Sequence, residues 1–293
     1  MASSPISKQK PHWLKRRLPS GPEFEQTRQL IQQGCLHTVC QEAQCPNMFE
    51  CFSQHTATFL ILGGACTRNC RFCAVQHGPD GPPDPREPDR VAQATAEMGL
   101  EYVVITSVTR DDLSDGGAAI FARTITAVHV KVPGIRVEVL IPDFQGGADA
   151  LHTVLDAGPD ILNHNIETVQ RLYPRVRPQA DYRQSLELLR RAHGYASFIP
   201  TKSGIMLGLG ESDEEIHQTL ADLRSHHCRM VTIGQYLQPS REHHPVARFV
   251  PPAEFEHWRQ VALELGFEEA ASGPFVRSSY HAKESFQRLG PAS

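Results

Sequence analysis

Six short apolar runs, each followed by a stretch of helical periodicity, constrain this chain more than any other feature. The runs are residues 56–63 (TATFLILG), 102–108 (YVVITSV), 135–141 (IRVEVLI), 160–166 (DILNHNI), 203–209 (SGIMLGL) and 230–237 (MVTIGQYL). They are rich in Val, Ile and Leu without strict alternation, the pattern of strands covered on both faces of a sheet. Helices are expected over residues 89–98, 118–130, 149–156, 181–192, 212–224 and 253–265. Ser212 with Glu215 reads as a capping box, Asp181 with Gln184 resembles one, and Gly99, Gly158, Gly194 and Gly266 stand where helices should stop.

Alternating strands and helices demand a parallel sheet with right-handed crossovers. Six units are too few to close an eight-fold barrel. The prediction is therefore an α/β fold, a partial (β/α)6 open barrel of the TIM type over residues 56–270. An N-terminal extension, 1–55, precedes it, with one short helix at about 23–33 and a cysteine motif, and a short C-terminal extension, 271–293, follows. Reactive groups in such sheets gather at the C-terminal ends of the strands.

The chain has eight cysteines among 293 residues, and seven fall between Cys35 and Cys73. No segment approaches the ~20 apolar residues of a membrane span, and the N-terminus has no apolar signal region. A reducing, cytoplasmic setting is expected, where such a cluster points to metal or redox chemistry rather than disulfides. Cys228, the outlier, reads as a small core residue. The net charge of −4 argues against a nucleic-acid partner. The basic stretch 8–17 (KQKPHWLKRR) reads as a solvated tail. The histidines, His243 and His244 included, show no metal-ligand spacing to rival the cysteines.

Cys66-x3-Cys70-x2-Cys73 follows the first apolar run. Three thiolates on one loop hold three corners of an iron–sulfur cubane and leave the fourth iron open to an exogenous chelate. The competing reading is zinc, which needs a fourth ligand that His77 is near enough to supply. The first cluster is ambiguous from spacing alone: Cys40-x4-Cys45-x5-Cys51 and Cys35-x4-Cys40-x4-Cys45 are equally regular. At the strand ends, Ser107, Asn165 and Glu167 suit polar contacts to a cofactor. Asn165 and Glu167 share one side of an extended strand, and Gly208 and Gly210 allow close backbone approach. Arg110, Asp111 and Asp112 read as a loop anchor.

The pattern Cys66-x3-Cys70-x2-Cys73, with aromatic Phe72 before its last cysteine, is similar to that of the radical S-adenosylmethionine (SAM) superfamily. Residues 36–45 (LHTVCQEAQC) with Pro46 and Asn47 resemble the lipoyl synthase family within it. The likeness continues through 56–66 (TATFLILGGAC), 102–117 (YVVITSVTRDDLSDGG), 163–167 (NHNIE) and 176–180 (VRPQA). It extends to 202–211 (KSGIMLGLGE), 234–241 (GQYLQPSR) and 273–280 (GPFVRSSY), so that it covers about residues 34–282. The resemblance implies two 4Fe–4S clusters and SAM. Cys66, Cys70 and Cys73 would hold the catalytic cluster. Cys40, Cys45 and Cys51 would hold an auxiliary one, with a serine of the RSSY motif, Ser279 or failing it Ser278, as fourth ligand. Phe72, Ser107, Asn165, Glu167 and Gly208 fall to SAM, and Cys35 becomes a buried or spare thiol. The implied reaction inserts two sulfur atoms at C6 and C8 of a protein-bound octanoyl-lysine, consuming the auxiliary cluster. The implied partners are octanoylated lipoyl carrier domains (dehydrogenase E2 subunits or the glycine cleavage H protein) and a reductant such as ferredoxin or flavodoxin, acting on a monomer. An unactivated C–H bond gives acid–base chemistry no purchase, so a radical initiator and a sulfur source are both required. The rivals are a methylthiotransferase, which would carry an added RNA-binding module, and a zinc-binding interaction protein, which would be colourless and free of iron.

Overall fold

The computed structural model describes residues 10–15, 21–53, 57–78 and 81–289. After helix α1 (Pro22–Gln33) come β1 (Thr58–Ile61), α2 (Glu87–Glu97), β2 (Tyr102–Ser107), α3 (Ala118–Lys131), β3 (Arg136–Leu140) and α4 (Ala148–Asp156). The series continues with β4 (Ile161–Asn163), α5 (Tyr182–Tyr195), β5 (Thr201–Leu207), α6 (Asp213–Ser225), β6 (Met230–Gln235) and α7 (Pro252–Glu264). All six expected strand–helix units are present. The capping box at Ser212 and Glu215 forms, and Asp181 caps α5 through the amide of Gln184.

A seventh parallel strand, β7 (Glu269–Gly273), pairs with β6 along its whole length. The barrel sheet thus runs past the boundary expected at residue 270. Its sequence, EAASG, carries residues that strands disfavour, and only pairing with β6 makes it a strand. The sheet runs β1 to β7 in chain order, and a two-residue strand, His37–Thr38, pairs antiparallel with β1 at the other edge. Among the described residues the two edges do not pair, so the barrel is open.

Outward-facing residues of the strands, such as Phe59, Ile105, Val139, Leu207 and Ile233, are buried against helix residues Val91, Phe121, Val154 and Leu220. The inward face is polar. Lys202 and Glu138, almost wholly buried, pair at 2.9 Å, with Tyr102 and Asn163 donating to the same carboxylate at 2.7 and 3.1 Å. A buried ion pair is stable only when its remaining polar atoms are satisfied. Here four strands supply the partners.

Beyond β7 the chain doubles back along this inner face. A Cβ at Gly234 would collide with the carbonyl of Val276, and one at Gly204 would lie 2.8 Å from Asn165 Oδ1, 2.8 Å from Thr232 Oγ1 and 3.1 Å from Ser278 Oγ. Glycine in these strands therefore makes room for another backbone. The strap ends in α8 (Ala282–Gln287), which packs Phe286 against Tyr102, ring centroids 5.9 Å apart, while Lys283 pairs with Glu101 at 2.6 Å. The C-terminal segment thus passes from the C-terminal to the N-terminal ends of the strands.

Candidate functional site

The loop carrying Cys66, Cys70 and Cys73 leaves β1 and is fastened on every side. Thr67 bonds the carbonyl of Thr109 through both its amide and its hydroxyl, at 3.0 and 2.9 Å. The amide of Thr109 donates to Cys66 Sγ at 3.3 Å. The amides of Asn69 and Arg71, on either side of Cys70, bond Gln179 Oε1 at 2.6 Å and the carbonyl of Val176 at 2.9 Å. Arg68, 6% exposed, spans Asp111 and Asp143 with bidentate contacts of 2.6–2.9 Å. Burial alone would raise the Asp143 carboxyl, but the hydrogen bonds and charge of Arg68 hold it down at about 2. Arg110 performs the anchoring role expected of its cluster. It chelates Asp112 at 2.8 and 2.9 Å and donates to the carbonyls of Leu62 and Gly81.

The three thiols interact electrostatically with one another. Burial raises Cys70 and pushes Cys73 up to about 12, with the neighbouring cysteines adding to the rise. Such thiols stay protonated until metal binds and displaces the proton. Among the described residues no three His, Cys, Asp or Glu side chains converge as ligands of a single ion. His77, the fourth ligand that the zinc reading would call on, is exposed.

Around this loop stand the groups expected to meet SAM. Ser107 ends β2, and its hydroxyl is buried with no partner among the described residues, as a donor reserved for a ligand would be. Asn165 donates to Glu167 Oε1 at 3.0 Å, so the two side chains do share one side. The cause differs from the one expected: β4 stops at Asn163, and Glu167 takes a left-handed φ of 65° beside Ile205 of β5. Burial raises the Glu167 carboxyl, against the lowering effect of Arg177. Phe72 is half-buried against the core. At Gly208 the space a side chain would need is filled by Gln235 and by the carbonyl of Arg248, while the amides of Gly208 and Leu209 are taken by Glu211. Gly208 thus serves close packing of this loop in the structure.

In the N-terminal segment Cys40 is buried and pushed up to about 12, by burial first and then by Cys45 and Cys51. Cys35 is not buried: it is exposed just past α1, where its own backbone takes a left-handed φ of 47°. That favours the Cys40, Cys45, Cys51 register. The C-terminal strap lies against this triplet. The Thr58 backbone opposes the rise of the Cys40 thiol, and Thr58 Oγ1 donates to Ser279 Oγ at 2.8 Å. Asn47 bonds the carbonyl of Phe275 at 2.7 Å, and Tyr280 bonds Glu50 at 3.0 Å. Ser278 instead exchanges hydrogen bonds with Asn165 at 2.7 and 3.0 Å. The two serines therefore touch different sites. The basic arm is no simple solvated tail: Leu14 is buried, and with Lys10 it walls a cavity of about 550 Å3 beside Cys40 and Cys45. Residues 8, 9, 16 and 17 of that arm lie outside the described residues.

Sequence reasoning gave no role to Arg68, Arg177 or His243. Arg68 sits inside the cysteine motif and Arg177 inside VRPQA, but nothing local reveals their distant partners. His243, from the loop after β6, reaches the carbonyl of Cys73 at 2.9 Å, and the amide of His244 bonds the carbonyl of Arg71 at 2.7 Å. Cys228 is a buried core thiol, as expected.

Comparison with known proteins identifies the family. Residues 60–223 match the family model of the radical SAM superfamily. The chain is 58% identical to a lipoyl synthase of Desulfotalea psychrophila over 95% of its own length and 93% of that protein's. It is 55% identical to one from Methylococcus capsulatus, with coverages of 96% and 88%. Among solved structures it resembles methylornithine synthase, with a TM-score of 0.51 at 14% identity over 85% and 81% of the two chains. It also resembles a maturase of the FeFe-hydrogenase, with a TM-score of 0.56 at 16% identity over 78% and 62%. At those identities the likeness concerns the fold. No helix among the described residues is long and apolar enough to cross a membrane.

Proposed function

The chain belongs to the lipoyl synthase family of the radical SAM superfamily, and we propose that each of its two cysteine triplets holds a 4Fe–4S cluster. Its reaction is the insertion of two sulfur atoms at C6 and C8 of an octanoyl chain linked to a lysine of a carrier protein. The cluster at Cys66, Cys70 and Cys73, with SAM, supplies the 5′-deoxyadenosyl radical that this unactivated C–H chemistry requires. Cys40, Cys45, Cys51 and Ser279 hold the second cluster, which is consumed as the sulfur-donating substrate. A serine oxygen is a harder, weaker ligand for iron than thiolate, which suits a corner that must open.

The protein's own groups arrange the reaction. Arg68 and the Thr67–Thr109 bonds fix the catalytic loop. Ser107, with its partnerless hydroxyl, and the Asn165–Glu167 pair offer SAM a donor and an acceptor, while Phe72 and Gly208 shape the space. The N-terminal segment with Cys40, Cys45 and Cys51 and the C-terminal strap beyond β7 jointly build the auxiliary site beside the barrel. Octanoylated carrier domains, of E2 subunits or of the glycine cleavage H protein, bring the substrate in. A ferredoxin- or flavodoxin-like donor supplies electrons in the cytoplasm.

One observation carries this reading. It is supported by the contacts of two adjacent serines of the strap, Ser278 with Asn165 and Ser279 with Thr58. On this reading a radical centre and a sulfur source would lie at the two ends of one dipeptide. The test is anaerobic reconstitution followed by single turnover on an octanoyl-lysine peptide. We expect about eight irons per chain, the sum of two four-iron clusters, and a thiolated product. Replacing Cys40, Cys45 and Cys51 by Ala should halve the iron and abolish sulfur transfer while SAM cleavage survives. Zinc in place of iron, or thiolation without the first triplet, would contradict the proposal.

A further inference from the structure

Arg177 is the least explained charge near the catalytic loop. It is 9% exposed, and its Nη1 donates to the carbonyls of Asn165 and Ile166 and to Tyr173 Oη at 3.0, 3.2 and 3.1 Å. Its guanidinium lies 5.3 Å from the centre of the Tyr173 ring. Its Nε is buried without a partner, and no carboxylate among the described residues stands at ion-pair distance. A permanent cation held this deeply by neutral acceptors alone is costly, and it calls for an anion.

The geometry names that anion. The segment bearing Arg177 is clamped to the catalytic loop through the amides on both sides of Cys70, one to Val176 and one to Gln179. Arg177 follows Val176 directly, so the clamp holds it beside the loop at Cys70, where its charge opposes the rise that burial gives that thiol. Asp143 and Glu167 act on it only from a distance, since Asp143 is already engaged by Arg68 and Glu167 by Asn165. We infer that Arg177 is a positioning residue that pairs with the Cys70 thiolate of the loaded loop and raises the electron affinity of the cluster held there. The inference rests on the assignment of this loop to a cluster. Reduction adds one electron, and so one negative charge, to the cluster with no bond made or broken. A fixed positive charge beside one ligand therefore favours the reduced form.

The test is a redox titration with titanium(III) citrate, which gives up that one electron and becomes titanium(IV), followed by electron paramagnetic resonance. It uses the full-length chain carrying Cys40→Ala, Cys45→Ala and Cys51→Ala, so that one cluster alone reports. At a fixed potential, R177Q should hold at least about tenfold less reduced cluster than its parent, a shift of about 59 mV for one electron, and R177K should stay near the parent. Failure of R177Q to load iron while R177K loads also supports the inference, whereas equal failure of both overturns it. A loaded R177Q that titrates like its parent overturns it as well. So does loss of SAM binding in equilibrium dialysis at unchanged potential, since Arg177 would then serve the cofactor's carboxylate. A parent that takes up no iron on this loop refutes the cluster assignment itself, and that outcome is distinct from a loaded loop indifferent to residue 177.

Discussion

Replacing Gly204 by alanine isolates the strap from the rest of the fold. The backbone there lies outside the left-handed region, so an L-residue meets no torsional cost and the whole effect is contact. The new Cβ would sit 2.8 Å from both Asn165 Oδ1 and Thr232 Oγ1 and 3.1 Å from Ser278 Oγ, each closer than ordinary van der Waals distance. Thr232 is fixed within β6, so the strap is what can yield. Overpacking of this kind costs about 1–3 kcal/mol, which for a chain of this size lowers the melting temperature by several degrees. The informative signature is selective. Moving Ser278 also moves Ser279, the residue proposed as fourth ligand of the auxiliary cluster. Iron per chain should fall from about eight towards about four, while SAM cleavage at the other cluster persists. Gly194→Ala is the control, because a Cβ there meets nothing within 4 Å. A Gly204→Ala protein with parental melting temperature and full iron would refute the placement of the strap.

The adjacent serines should separate in the same assays. Ser279→Ala is expected to lose auxiliary iron and sulfur transfer, whereas Ser278→Ala keeps the iron and weakens SAM binding by freeing Asn165; iron analysis and equilibrium dialysis distinguish them. A second expectation concerns acid. His164 is fully buried, with Nδ1 on the carbonyl of Ile141 at 2.9 Å and Nε2 without a partner, and burial, reinforced by Arg177, holds it down at about 4. Asp143 and Arg68 also face it, the carboxylate opposing that shift and the guanidinium adding to it. The unfolded chain takes up this proton below its ordinary value of 6.5, while the folded chain refuses it until about 4. Stability should therefore fall as pH drops from about 6.5 to about 4 and level off below, by about 3 kcal/mol. His164→Gln should flatten that slope in urea melts of the metal-free protein, and an unchanged slope would show that another group is responsible.

The βα alternation and the two cysteine motifs were legible because both are local. Strand and helix periods repeat within a few residues, and a cluster loop gathers its ligands from eight consecutive positions, Cys66 to Cys73. All six predicted strands and all six helices duly stand close to their expected places. What spacing alone left open depends on the surroundings that folding supplies. Cys35 and Cys51 compete equally as strings, but in the fold Cys35 is exposed and Cys51 is partly buried. Ser278 and Ser279 are adjacent and chemically alike, and only the path of the strap sends one to Asn165 and the other to Thr58. Strand β7 has no strand-forming composition and exists because β6 offers it an edge. Arg68 and Arg177 sit inside motifs but find their partners 43 to 75 residues away and 11 to 12 residues back, respectively. Sequence determined which chemistry this chain can carry, because periodicity and ligand spacing are short-range properties of a polymer. Tertiary structure decided which charge, hydroxyl and thiol face one another, because closing the sheet on its own C-terminus brings together groups that the chain order keeps apart.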